Sequence, residues 1–228
     1  MARPSILFCD ADALIQFLLL GEVRPLRLLR STYQIQPVVV PEVEIELRSR
    51  RFGGRIAPEL NKAFSNGVLR ILDRSLLESY YGGPPSGHMA ATAALSQIAR
   101  IGAEYHRHVD RGEAYTHAAA ITLSAPAMSN DRNALDVLGG AKFAVPQTVL
   151  RCFDLLVLSY QVRTVTEADC DNFRAGLLAE NEHVPRCFVH KSFSDGLGEF
   201  SPRIRDSQAT PVGLQQQQAF PYATVIVL

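Results

Sequence analysis

The sequence predicts an α/β fold: a mainly parallel sheet of five strands covered by helices. Three observations predict it. Short apolar runs such as Ile6-Leu7-Phe8-Cys9 and Val38-Val39-Val40 recur over the first part of the chain. They are continuous rather than alternating, as in strands buried on both faces. Longer stretches with apolar residues at helical spacing separate them, and strand–helix alternation favours parallel pairing.

The elements follow in order. The first run ends at Asp10, and Ala13-Leu14-Ile15-Gln16-Phe17-Leu18-Leu19-Leu20 reads as a helix stopped near Gly21. A polar turn leads to the second strand, Val38-Val39-Val40, and Pro41 suits the first position of the next helix. Val43 and Leu47 share one side of that helix, and Gly53-Gly54 stop it. Val68 to Leu72 is the third strand. Gly82 to Gly87 is a Gly- and Pro-rich loop, and an alanine-rich helix runs from about His88 to His108. Asp110-Arg111-Gly112 breaks the pattern, and Glu113 opens a second alanine-rich helix. Ala127-Met128-Ser129-Asn130 is a fourth strand closed by Asp131. Phe143-Ala144-Val145 reads as the fifth strand, and Thr148 to Tyr160 as an amphipathic helix. Residues 1–165 make the α/β domain. Residues 166–228 hold one more helix, opened by Thr166, and a poorly patterned tail with a Gln215–Gln218 run that reads as linker.

Composition narrows the function. The chain has 228 residues, 47% of them hydrophobic, and a formal net charge of zero. There is no global electrostatic case for a nucleic-acid partner, so any such contact needs a local patch. Cys9, Cys152, Cys170 and Cys187 contain no CxxC pair, which points to a reducing, cytoplasmic compartment. No apolar run is long enough to span a membrane. GxSxG, GxGxxG and Walker motifs are absent.

Five acidic residues stand at element ends: Asp10, Asp12, Glu46, Glu113 and Asp131. Singly, each has a plain structural role. Asp10, Asp12 and Asp131 suit helix caps. Glu46 suits an ion pair with Arg50, and Glu113 suits the positive end of a helix dipole. Gathered at the carboxyl edge of one sheet, where α/β proteins bind ligands, they would repel one another unless a cation neutralised them. Oxygen-only sites of that kind suit Mg²⁺ or Mn²⁺, whose usual chemistry there is displacement at phosphorus with an activated water.

The order of these motifs resembles the PIN-domain ribonuclease family, especially its toxin-like branch from toxin–antitoxin systems. The residues that carry the resemblance are Leu7 to Ile15, then Val40-Pro41 through Glu46-Leu47, then Gly112-Glu113-Ala114, then Met128 to Ala134. The resemblance implies a three-layer α/β/α sandwich with strand order 3-2-1-4-5, which sets Asp10 and Asp131 on neighbouring strands. It implies an endoribonuclease with Asp10, Glu46, Glu113 and Asp131 as its acidic set, and Asp10, Glu113 and Asp131 as the metal ligands. Asp12, Ser129 and Asn130 fall in the outer shell. Glu46 is preferred to Glu42 and Glu44 because it directly precedes Leu47. The family also implies RNA as substrate, a homodimer and an antitoxin partner. The fourth motif departs from the pattern: Ser129-Asn130-Asp131 stands where many relatives have Thr-Asp-Asp. That departure sustains an alternative, a catalytically silent PIN-like module that binds RNA or protein. A third reading is an α/β hydrolase for a small phosphorylated substrate.

Arg48, Arg50, Arg51 and Arg55 cluster just past Glu46, either as a solvated helix end or as an RNA-backbone contact. His106 and His108 flank Arg107 and lack the spacing of zinc ligands. His117, four residues after Glu113, reads as a core histidine.

Overall fold

The structure is a computed structural model that describes residues 5–49, 53–202, 204–205 and 224–225. The N-terminal apolar run forms β1 (Ser5–Cys9), with all but its first residue buried. There follow α1 (Ala11–Leu19), α2 (Arg24–Ser31), β2 (Ile35–Val39), α3 (Pro41–Ser49), α4 (Gly53–Ser65) and β3 (Arg70–Ile71). Next come α5 (Arg74–Tyr80), α6 (Ser86–Tyr105), α7 (Arg111–Leu123), β4 (Ala127–Met128), α8 (Arg132–Gly140) and β5 (Val149–Leu150). The chain continues with α9 (Cys152–Gln161), α10 (Glu167–Ala179), α11 (Arg186–Val189) and α12 (Phe193–Leu197). A short antiparallel pair, β6 (Ile204–Arg205) and β7 (Thr224–Val225), is the last described element.

Strands β1 to β5 form one all-parallel sheet in the order β3-β2-β1-β4-β5. Parallel crossovers are right-handed. The steps from β1 to β3 therefore put α1–α4 on one face, and the reverse steps through β4 and β5 put α5–α8 on the other. Helix α7 packs on β1 and β4, while α9 returns to pack on α1 and α2. The strand order reverses at β1, between β2 and β4, so the crevice at the ends of β1 and β4 is the switch point. Register fixes what meets there. Phe8 pairs with Val38 on one side and Ala127 on the other, and Cys9 pairs with Met128. Asp10 is the next residue out, and its N–H donates to Met128 O at 2.9 Å.

Three local expectations are corrected. The polar turn before the second strand contains α2, because Pro25 begins a helix whose Leu26, Leu28 and Leu29 are all buried. Gly53-Gly54 are the first residues of α4, and Gly53 lies so close to Arg48 O that a Cβ would collide with it. The fifth strand is Val149–Leu150, not Phe143 to Val145. Val149 and Leu150 are buried and pair with Ala127 and Met128, whereas Ala144 and Val145 are exposed and the following Pro146 has no N–H to pair. Helix α9 accordingly starts at Cys152 rather than Thr148. The Gln215–Gln218 run lies outside the described residues.

The helices after residue 165 join the main core. Phe188 is fully buried and its ring stacks on Phe153 (5.3 Å) and Phe193 (5.0 Å), with Phe200 at 5.2 Å. Phe173 continues the cluster to Phe17 of α1. Phe188→Ala should therefore cost about 3 kcal/mol, the lower end for a buried Phe truncation. Urea unfolding measures it, and a loss under 1 kcal/mol would mean that α11 packs only loosely.

Candidate functional site

The acidic residues converge on the switch point. Asp10 immediately precedes α1 with extended backbone (φ −82°, ψ 160°), the geometry of a helix cap, yet its side chain makes no cap hydrogen bond. The carboxylate is buried, 4% exposed, at the carboxyl end of the central strand. Burial raises its pKa well above the usual carboxylate range, and the charges of Glu113, Asp12 and Glu46 raise it further. Glu113 sits in the first turn of α7 and is 6% exposed. Its pKa is pushed up to about 8, first by burial and then by Asp131, with smaller contributions from Asp12 and Asp110. A hydrogen bond from Ser129 opposes part of that rise.

Ser129 links the Glu113 carboxylate to the backbone of Asp131. Its Oγ donates to Glu113 Oε1 at 3.4 Å and accepts from the Asp131 N–H at 3.1 Å. It reaches that place because its own N–H bonds Leu150 O, one step beyond the β4–β5 pairing. Asp131 does cap a helix: Oδ1 accepts from Asn133 N at 2.7 Å, at the start of α8. Asn130 turns the other way, with Oδ1 accepting from Cys152 N at 3.0 Å, and so ties β4 to the start of α9. Asp12 lies in the first turn of α1, half-buried.

Glu46 comes from α3, and Gly112 explains how it gets close. A Cβ on Gly112 would collide with Glu46 Oε2, so the glycine lets the carboxylate lie against the first turn of α7. That turn is the positive end of the helix dipole. The Gly112-Glu113 pair thus seats one carboxylate and supplies another.

His117 is fully buried one helical turn beyond Glu113, with Nε2 at 3.6 Å from Glu113 Oε1 and neither ring nitrogen hydrogen-bonded. Burial pushes its pKa down to about 4, against a smaller opposing pull from Asp131. The contact is therefore between a neutral ring and a carboxyl group. The spacing of Glu113 and His117 on one helix was the available signal, but the sequence could not say which face was buried.

Of the arginines expected near RNA, those described are engaged by other side chains. Arg48 is held by Glu44 (3.0 Å) and Asn61 (3.2 Å), and Arg55 is clamped by Glu180 (2.6 and 2.7 Å). Arg50 and Arg51 are outside the described residues. Sequence reasoning did not place the turn His106-Arg107-His108, which lines the same open groove as Glu113 and Asp131.

Among the described residues, no three His, Cys, Asp or Glu side chains are gathered tightly enough to close round a metal ion as they stand. Cys9, Cys152 and Cys170 are buried free thiols and Cys187 is half-buried. No described helix is long and apolar enough to cross a membrane. No family model matches the chain, and no curated protein or solved structure matches it.

Proposed function

We propose that this chain is a metal-dependent endoribonuclease of PIN-like architecture. One observation carries the reading: five carboxylates, three from helices α1, α3 and α7 and two from the connections that follow β1 and β4, lie close enough at the switch point that like charge raises the pKa of Asp10 and Glu113, and the most buried, Asp10, is not used as a cap. Clusters of like charge are costly to fold. An array of oxygen donors with excess negative charge fits a hard divalent cation in both chemistry and charge. Asp10, Glu113 and Asp131 would hold Mg²⁺ or Mn²⁺, with Glu46 and Asp12 completing the negative field. When bound, such an ion supplies an activated water and neutralises charge on the scissile phosphate.

The chain's own residues set the rest. Ser129 fixes the spacing of Glu113 and Asp131 through one hydroxyl. The helix cap leaves Asp131 Oδ2 for the site while Oδ1 anchors the side chain. A bound cation would favour the ionised forms of Asp10 and Glu113, which burial and like charge disfavour in its absence. RNA is the substrate in this reading. A homodimer and an antitoxin that blocks the groove follow from the family resemblance, and cytoplasmic residence suits the four free thiols.

The test is cleavage of a mixed RNA pool by the full-length chain with Mg²⁺, with Mn²⁺ and with EDTA. Cleavage is expected only with a cation. It should leave no 2′,3′-cyclic phosphate, because water and not the 2′-hydroxyl is the nucleophile. Cleavage that continues in EDTA would refute the mechanism. RNA binding without cleavage, unaffected by EDTA, would favour the silent binding module.

A further inference from the structure

Helix α7 is made to lie close against the sheet. Ala114, Ala118, Ala119 and Ala120 are all fully buried, and the helix packs on β1 and β4. One imidazole stands among these small apolar side chains. His117 is fully buried, and neither ring nitrogen has a hydrogen bond among the described residues. A buried polar group without a partner is costly to fold, and an apolar side chain would fill the same space without that cost. The polar atom that faces the ring is Glu113 Oε1, 3.6 Å from Nε2. Ser129 Oγ reaches the same oxygen at 3.4 Å and is itself held by the Asp131 N–H at 3.1 Å. A side chain on the helix and a side chain at the strand end therefore converge on one oxygen of Glu113. Glu113 and Asp131 line the open groove, whereas His117 has no exposed surface.

We infer that His117 is a positioning residue: its Nε2–H donates to Glu113 Oε1 and, together with Ser129, leaves Oε2 for a divalent cation. The inference rests on the metal-site reading and adds a residue to that site. The contact is longer than a finished hydrogen bond, and bonds of this kind often tighten only when the ligand is in place. A neutral imidazole carries a single N–H, and burial keeps this ring neutral. Placed on Nε2, that N–H meets an acceptor, and Nδ1 is left with a lone pair only. One hydrogen bond lets the carboxylate swing about its bond to Ser129, and a second donor fixes its plane. A ligand oxygen fixed in advance loses less conformational freedom on binding. Groups that orient metal ligands in this way govern metal affinity without touching the ion. Having no exposed surface, His117 acts through Glu113 and not on a ligand in the groove.

The experiment titrates the full-length chain with Mn²⁺ and follows the free ion by electron paramagnetic resonance. Melting in EDTA at pH 8 and RNA cleavage over a range of Mn²⁺ concentrations are measured alongside. His117→Leu should weaken Mn²⁺ binding about 10-fold, the lower end for a group that orients a metal ligand. It should melt no lower than wild type in EDTA, because it removes two buried polar atoms that have no partner. His117→Ala, the residue type at the neighbouring buried positions, is the second variant without a donor and should weaken Mn²⁺ binding as leucine does. His117→Gln, whose amide N–H can take the place of Nε2–H, should recover most of the affinity. Thr122→Val removes another unpartnered hydroxyl from the same helix and should leave the affinity unchanged. In a Glu113→Gln background, His117→Leu should cause no further loss, since the two side chains act as one unit. The inference is overturned if both donor-free variants bind Mn²⁺ like wild type, or if His117→Gln is as weak as they are. It is also overturned if the loss persists in the Glu113→Gln background, which would put the imidazole on the ion itself. Wild-type cleavage with Mn²⁺, unaltered in affinity by the His117 variants, removes the positioning role and leaves the nuclease. Mn²⁺ binding that depends on His117, with no wild-type cleavage, keeps the positioning role and removes the nuclease.

Discussion

Asp10→Asn should lower RNA cleavage by about a thousandfold or more, the scale on which single electrostatic contacts at a reacting centre act. The substitution keeps the shape of the side chain and removes one negative charge from the most buried position of the cluster. Its effect on folding should have the opposite sign. Asparagine caps a helix about as well as aspartate, and Asp10 makes no side-chain cap bond in any case, so no capping loss is expected. In the native chain without a cation, burial and the charges of Glu113, Asp12 and Glu46 keep its carboxyl well above the usual range. Above the ordinary aspartate range, folding therefore costs free energy at this position, because the buried, like-charged site disfavours the ionised carboxyl, and asparagine removes that penalty. Asp10→Asn should melt at a higher temperature than wild type in EDTA at pH 7. The two should converge at about pH 4 and below, where the unfolded aspartate is also protonated. Mg²⁺ should raise the melting temperature of wild type and do so less for the variant. Cleavage near the wild-type rate, or a variant that melts lower than wild type in EDTA, would remove Asp10 from the site.

How far the sequence reveals this arrangement depends on the kind of feature. Continuous apolar runs that end in aspartate are local signals, and β1 and β4 lie where those runs are. The strand order was legible only through the family resemblance, which set Asp10 and Asp131 on neighbouring strands, and the register through Cys9 and Met128 brings those two strand ends together. The fifth strand was misplaced because Phe143-Ala144-Val145 and Val149-Leu150 have the same local propensity. Only pairing with β4 decides between them, and Pro146 blocks the first. Helix α2 was missed because its apolar residues are spread among arginines, and their shared buried face appears only when packed.

The acidic set was legible as residue types at element ends, whereas the roles of individual atoms were not. Nothing local shows that Asn130 turns to Cys152 while Ser129 turns to Glu113, since both are short polar side chains at one strand end. The contact between Glu46 and Gly112 joins two motifs 66 positions apart and is visible only in three dimensions.

Glu113→Gln should be more stable than wild type at pH 8 in EDTA by up to about 5 kcal/mol, less whatever solvent at the mouth of the cleft screens. Glu113 is raised from 4.5 to about 8 in the folded chain. A carboxyl raised on folding binds its proton more tightly in the native state, so its favourable contribution is complete below pH 4.5 and is lost as pH climbs to about 8. Two other groups act against this trend. Burial pushes His117 down to about 4, so its contribution is lost as pH falls below its ordinary value of 6.5. Arg24 and Thr166 hold Asp169 well below the carboxylate range, so its contribution is lost at still lower pH. Comparing Glu113→Gln with wild type at each pH cancels the Asp169 effect, and His117, which touches Glu113, can enter the difference only below pH 6.5. The difference should be near zero at pH 4.5, grow steadily through neutrality and level off above pH 8. Mg²⁺ at a hundred times its dissociation constant should add about 2.7 kcal/mol to wild type, and less to the glutamine variant, which lacks one of the proposed ligands. The gap should therefore narrow with the cation present. Urea unfolding at pH 4.5, 6.5, 8 and 9, in EDTA and in Mg²⁺, gives all of these values. A difference that stays flat with pH would mean that Glu113 titrates as an ordinary surface carboxylate, and the like-charge cluster would lose its physical basis.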